Sequence, residues 1–160
     1  MSDGNFDELI AELREVAAAG GPTFVSDFER LLGRIEKRDD PTIIVKLAQL
    51  LDDKVEHDEA MFSLIHVIEQ FPDRQYVTKL LDIAPDLCWR SPRWASIVFM
   101  RVLNNKAAKD ELVGQLRYAP TEVKESVHSL MIRINERSPV FLSKTAAILA
   151  VSASDQGAVH

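Results

Sequence analysis

Asp39, Asp40, Asp52, Asp53, Glu56, Asp58 and Glu59 are seven carboxylates in one short stretch, opposed there only by Lys46 and Lys54. Carboxylates so grouped can ligate a metal, share a proton in acid–base catalysis, or present negative charge to a cationic partner. His57 stands among them. Neighbouring residues on a helix point in different directions, and no second histidine follows His57 at i+4, so His57 with Glu56, Asp58 and Glu59 reads as helix-start charge rather than a metal centre. Capping accounts for Asp40 and for Asp58 or Glu59. It does not account for all seven, and two readings stay open for the rest: solvated helix-end charge, or a patch that steers a basic partner through Asp52, Asp53, Glu56, Asp58 and Glu59.

A second set of candidates comes from helical spacing. Glu59, Ser63, His66 and Gln70 share one stripe; Ser96, Phe99 and Leu103 share the next; Glu125, Ser129, Ile132 and Glu136 share a third. Ser63, Ser96 and Ser129 recur every 33 residues. If these helices line the concave side of a stack, the stripe is the floor of a groove, with Ser63, His66, Ser96 and Phe99 as partner contacts. Lateral packing between helices is the competing explanation, and it would bury Phe99 and Ile132.

Other chemistry is sparse. Cys88 lies between Leu87 and Trp89 with no histidine near it in sequence, as a packed, inert thiol would, and a single cysteine makes no internal disulfide. There is no Gly-rich phosphate loop, nucleophile elbow or His-Glu-x-x-His pair, and His57, His66, His128 and His160 lie far apart. The expectation is a protein that is not an enzyme and has no catalytic residue, cofactor or metal.

The elements that must position these residues are helices. Phe28, Met61, Trp94 and Val127 form one apolar column at a spacing of 33; Leu31, Leu64, Ile97 and Leu130 form a second; Leu32, Ile65, Val98 and Met131 a third. Within each unit these fall at i, i+3 and i+4, one face of a helix. A fourth column reads Ile35, Ile68, Arg101, Ile134, and the guanidinium at an apolar position calls for a structural ion pair, with Glu69 a candidate partner.

Helix starts near Asp40-Pro41, Asp73, Lys106 and Ser138-Pro139 restate the period, and Leu50, Ile83, Leu116 and Leu149 agree in the first helix of each unit. The expected helices run over about 5–18, 23–37, 40–52, 58–71, 73–84, 92–103, 106–118, 121–137 and 139–151, with Pro85 ending the fifth. This predicts an all-α, HEAT-like α-solenoid of about four helix pairs plus a C-terminal capping helix: one domain over 5–151, then a disordered tail over 152–160.

With 160 residues and 46% apolar content, the chain can bury a core as a single domain. No apolar run is long enough for a membrane span, and the N-terminus reads as neither signal peptide nor lipidation site, so the expected address is cytoplasmic. The net charge of -6 is uneven: residues 1–99 hold 11 basic and 19 acidic side chains, residues 100–160 hold 8 and 6. Nucleic-acid binders present Lys and Arg along one face, so an acidic chain favours a basic protein partner over nucleic acid, and no membrane partner is expected.

Three segments then carry a family resemblance: 58–71 (DEAMFSLIHVIEQF), 92–104 (PRWASIVFMRVLN) and 134–139 (INERSP). With the run of helices over residues 5 to 150, they resemble immunity protein 30, an all-α family from bacterial polymorphic-toxin and contact-dependent inhibition systems. The resemblance implies an immunity protein that binds and neutralises a cognate toxin domain, basic and bound at about 1:1. Many toxins of that kind are nucleases, for which an acidic surface mimics substrate. The family has no catalytic residues to carry over, and the resemblance assigns no contact. The rival classes are a generic HEAT-like adaptor and a helical-repeat DNA-modifying enzyme; the second requires a cationic groove that is not evident in the sequence.

Overall fold

A computed structural model describes the backbone of residues 2–35 and 39–153, with side chains from residue 6. The expected tail beyond Ala153 and the expected end of the second helix near Lys37 lie outside the described residues. The described residues hold nine α-helices, one 3-10 turn and no strand. Their packing separates two compact units, Met1–Phe71 and Pro72–His160.

The first unit contains α1 (Ser2–Ala19), α2 (Phe24–Ile35), α3 (Thr42–Ala48) and α4 (Asp58–Ile68). α1 turns back onto α2 at Gly20 and Gly21, whose φ angles of 64° and 96° only glycine adopts without strain. The Gly20 N–H reaches back to the Val16 carbonyl at 3.1 Å, which closes the helix end. α2 packs on α1 and α4, and α3 packs on α4. Phe6, Leu9, Ile10 and Leu13 bury one face of α1, as their spacing predicts, and Phe28, Leu31, Leu32 and Ile35 bury one face of α2.

α3 stops at Ala48, short of the expected Asp52. The chain leaves it through turns that hydrogen-bond Leu50 N–H to the Leu47 carbonyl and Leu51 N–H to the Ala48 carbonyl. These turns still bury Leu50 and Leu51, so the apolar pattern continues where the helix does not.

The second unit contains α5 (Asp73–Arg90), α6 (Pro92–Leu103), α7 (Lys106–Leu116), α8 (Thr121–Arg137), a 3-10 turn (Pro139–Phe141) and α9 (Leu142–Ser152). α5 packs in turn against α6, α7 and α8, and α9 packs against α7 and α8. The expected stop at Pro85 is not there. Proline deprives the Leu81 carbonyl of its helical donor, a cost of about 3 kcal/mol in a helix interior. Burial of Ile83, Ala84 and Leu87 on both sides of it holds the helix together. α5 ends instead at Ser91, a buried junction whose N–H bonds the Leu87 carbonyl at 2.8 Å and whose carbonyl accepts from Ala95 at 2.9 Å. Pro92 then opens α6 at its first position, where its missing N–H costs nothing.

The C-terminal end also departs from expectation. Ser152, expected as the first residue of a loose tail, is buried as the last residue of α9, with Oγ 2.8 Å from His128 Nδ1. Thr145 Oγ1 donates to Asn135 Oδ1 at 3.0 Å, a second polar tie between α9 and α8.

The repeat columns divide. Phe28, Met61, Trp94 and Val127 are all fully buried, whereas Ile97 is half-exposed beside the buried Leu31, Leu64 and Leu130. Arg101 is half-buried where Ile35, Ile68 and Ile134 are buried. Leu64→Ala is therefore expected to cost ~2–5 kcal/mol in urea unfolding, and Ile97→Ala clearly less, about 1 kcal/mol. Equal losses at the two positions would contradict this burial pattern.

Candidate functional site

The acidic stretch is built on the two ends of α3. Asp40 caps its N-terminus: Oδ1 accepts the Thr42 N–H at 3.0 Å and the Thr42 hydroxyl at 2.8 Å. Asp39 is exposed beside it. The other five carboxylates lie past the far end of α3, three in the loop that enters α4 and two in the first turn of α4. Asp52 organises that loop, accepting Lys54 N–H on Oδ1 at 2.9 Å while its carbonyl accepts Val55 N–H at 3.1 Å. Asp58 and Glu59 occupy the first turn of α4, where the helix dipole favours negative charge. Asp52, Asp53 and Asp58 are half-buried; Glu56 and Glu59 are exposed.

His57 has a structural role that its spacing does not disclose. Its ring stacks on Phe24 of α2, with centroids 4.8 Å apart and planes 28° from parallel, and its Nδ1 lies 3.8 Å from Glu59 Oε1. It fastens the entry of α4 to the start of α2. Among the described residues, no group of three or more His, Cys, Asp or Glu side chains is placed to hold a metal ion.

One helical turn past Glu59, α4 meets α2 along a shallow groove of 190 Å³ lined by Glu29, Leu32, Gly33, Ser63, His66 and Val67. The Ser63 hydroxyl lies 3.0 Å from Glu29 Oε1 and 2.9 Å from the Glu59 carbonyl, so one proton is shared between a cross-helix bond and a bond to its own helix. Gly33 forms part of the wall, and a Cβ there would meet nothing within 4 Å. The structure thus brings together Ser63 and His66 of the expected stripe and adds Glu29 beside them. Glu29, Leu32 and Gly33 stand at i, i+3 and i+4 on α2, a spacing that could have revealed the facing wall.

The remainder of the stripe is not gathered there. Ser96 and Phe99 belong to the second unit; Ser96 is half-buried and donates to the Pro92 carbonyl at 2.9 Å. Phe99 has no exposed surface, so it supports α6 from within and is no contact surface as it stands. Ile132 remains 44% exposed, so the competing explanation of lateral packing holds for Phe99 and not for Ile132. The recurring serine has a common local cause: Ser63 and Ser96 both bond the carbonyl four residues earlier, a habit of serine within helices.

In the second unit a hollow of 710 Å³ between α5 and α7 is lined largely by polar residues, of which Thr78, Gln115 and Glu111 are linked by hydrogen bonds. Gln115 accepts from Thr78 at 2.9 Å and donates to Glu111 at 2.9 Å and to the Arg74 carbonyl at 3.2 Å, which makes it a tie between helices. Cys88 is half-buried, and desolvation pushes its thiol up to about 11, so it stays protonated near neutrality. No helix among the described residues is long and apolar enough to cross a membrane.

Residues 22–112, more than half of the chain, match the model of the family described as Immunity protein 30. The match runs from the start of α2 into α7 and so contains both the groove and the acidic loop. No curated protein and no solved structure matches the chain.

The raised thiol gives a direct check on local burial. At pH 8 the native protein should hold roughly a hundredfold less thiolate at Cys88 than the unfolded chain, and iodoacetamide labelling should be slower by a comparable factor. The native labelling rate should keep rising toward pH 11. Equal rates for native and urea-unfolded protein at pH 8 would contradict the burial.

Proposed function

The chain belongs to the Immunity protein 30 family, and from that premise we propose that it binds and neutralises a cognate toxin domain. The contact face in this reading is the acidic loop Asp52, Asp53, Glu56, Asp58, Glu59 together with the groove that holds Glu29, Ser63 and His66. One observation carries the choice of face: Ser63 joins the Glu29 carboxylate of α2 to α4 one turn beyond Glu59, so the loop's charge continues into a groove. A guanidinium or ammonium group from the partner suits such a place, because it finds fixed carboxylate oxygens with little further ordering.

The partner in this reading is a basic protein domain, most simply a nuclease whose own substrate is anionic, bound at about 1:1 in the cytoplasm. The protein acts by occupying that domain's surface and performs no chemistry of its own. Ser96 and Phe99 take part only as support. We further propose that residues 5–151 act as one HEAT-like helical-repeat domain. The reading is supported by the 33-residue period that runs through the sequence and by the series α5, α7, α9 of first helices in contact within the second unit. The packing of α5 on α8 is an addition that a simple repeat stack does not call for.

The test uses the toxin domain encoded beside this chain. Glu56 and Glu59 are exposed, so reversing both to Lys should leave the circular dichroism spectrum unchanged. Association should slow about tenfold or more at low salt and differ little at high salt, because ionic strength screens steering between exposed charges. Gly33→Leu, whose Cβ has open space and whose side chain extends over the groove, should raise the dissociation rate at both salts. Wild-type rates for all variants at both ionic strengths would remove this face from the interface.

A further inference from the structure

We propose that the groove between α5 and α8 is a second recognition surface, which binds an extended peptide segment carrying one basic and one acidic side chain four residues apart with an apolar residue midway. The groove has a volume of 460 Å³ and lies entirely within the second unit, sharing no residue with the acidic site. Pro85, Cys88 and Trp89 line its α5 side, and Glu125, Leu130 and Arg133 line its α8 side.

Three observations specify the occupant. Trp89 is 87% exposed, held out by a helix that continues through Pro85. An indole displayed beside Leu130 offers a large apolar contact area, and Trp and Arg are the residues most enriched where binding energy concentrates. Arg133 is half-buried, and its Nε is shielded from solvent without a hydrogen-bond partner. A carboxylate lying in the groove can pair with the outer side of the guanidinium and match its charge. Glu125 is exposed and stands eight residues earlier on α8, about 12 Å along the helix axis. Between these opposite charges, Cys88 is a neutral thiol that adds none.

The spacing selects the form of the ligand. An extended chain places alternate side chains on one side and advances about 3.3 Å per residue, so residues i and i+4 stand about 13 Å apart. Residue i+2 then falls midway, opposite the apolar part of the groove. A helical segment would need its charges eight residues apart to span the same distance, so a five-residue ligand meets both charges only when extended.

The probe is acetyl-Lys-Thr-Leu-Thr-Glu-amide, titrated into the full chain and followed by tryptophan emission. Trp94 is fully buried, so the long-wavelength emission reports Trp89. Saturable binding in the millimolar range with a blue shift is expected, about tenfold tighter than for three controls: the doubly basic and doubly acidic peptides, and one with its charges two residues apart. Arg133→Glu should transfer the preference to the doubly basic peptide. Trp89→Ala, followed by calorimetry, should lose most of the affinity while keeping the helical spectrum. No saturable response up to about 10 mM, or equal affinity for all four peptides, would overturn the proposal. Neither result depends on the toxin, so failure here leaves the reading of the acidic face standing.

Discussion

Burial of one apolar face on every helix that follows a turn is the constraint from which the rest of the structure derives. Phe28, Met61, Trp94 and Val127 have no exposed surface, and the residues three and four positions on from each are mostly buried too. A helix with such a stripe is stable only when the stripe is covered, and isolated helices of this length are marginal in water. Once the stripe is fixed toward the core, the opposite face of the same helix is fixed toward solvent. On α4, burial of Met61, Leu64, Ile65 and Ile68 is what turns Glu59 and His66 outward and leaves Ser63 at the seam with α2. The candidate site is in this sense a by-product of the core, to which a few polar residues add charge and hydrogen bonds.

Those polar residues divide their work. Asp40 and Asp52 spend a carboxylate oxygen on backbone N–H groups that would otherwise lack a partner, and Asp58 sits where the helix dipole already favours it. Glu56, Glu59 and Glu29 are exposed, although Glu59 shares the first turn of α4 and lies 3.8 Å from His57, and Glu29 accepts from Ser63. An acidic stretch therefore contains two populations, one engaged in holding the loop in shape and the other exposed to solvent. Reversal at a structural carboxylate would confound folding with recognition, whereas reversal at an exposed one would not.

Much of this architecture is legible in the sequence because it rests on local rules. The period of 33, the proline that opens α6 at Pro92 and the limits of α8 follow from spacing and from what proline does at helix ends, whereas Ser91 makes no side-chain capping bond. What escapes is decided by partners distant in sequence. Pro85 reads as a stop because its local cost is known, while the burial of Ile83, Ala84 and Leu87 that offsets that cost belongs to the packed unit. Phe99 reads as a groove contact from the wheel of α6 alone, yet it is enclosed. Ile97 reads as core by register, yet it is half-exposed, since a repeat in sequence does not oblige each copy to have the same neighbours. The spacing of Glu29, Leu32 and Gly33 marks a common face of α2, but what that face meets is decided by Ser63, 34 residues later.

Serines 63, 96 and 129 show how a repeated residue can come to serve different ends. Ser63 and Ser96 turn a hydroxyl onto the carbonyl of the preceding turn, which is why a small polar residue is tolerated at that register in a helix. That bond consumes nothing outside the helix, so the position stays open to further use. At Ser63 the hydroxyl also meets Glu29 and joins two helices beneath an acidic rim, and Ser129 stands exposed on the wall of the groove beside Trp89. Ser96 is half-buried, and its hydroxyl bonds the Pro92 carbonyl within its own helix. A common local rule fixes the residue type, and the environment that each unit builds around it decides whether the position becomes part of a surface that another protein can read.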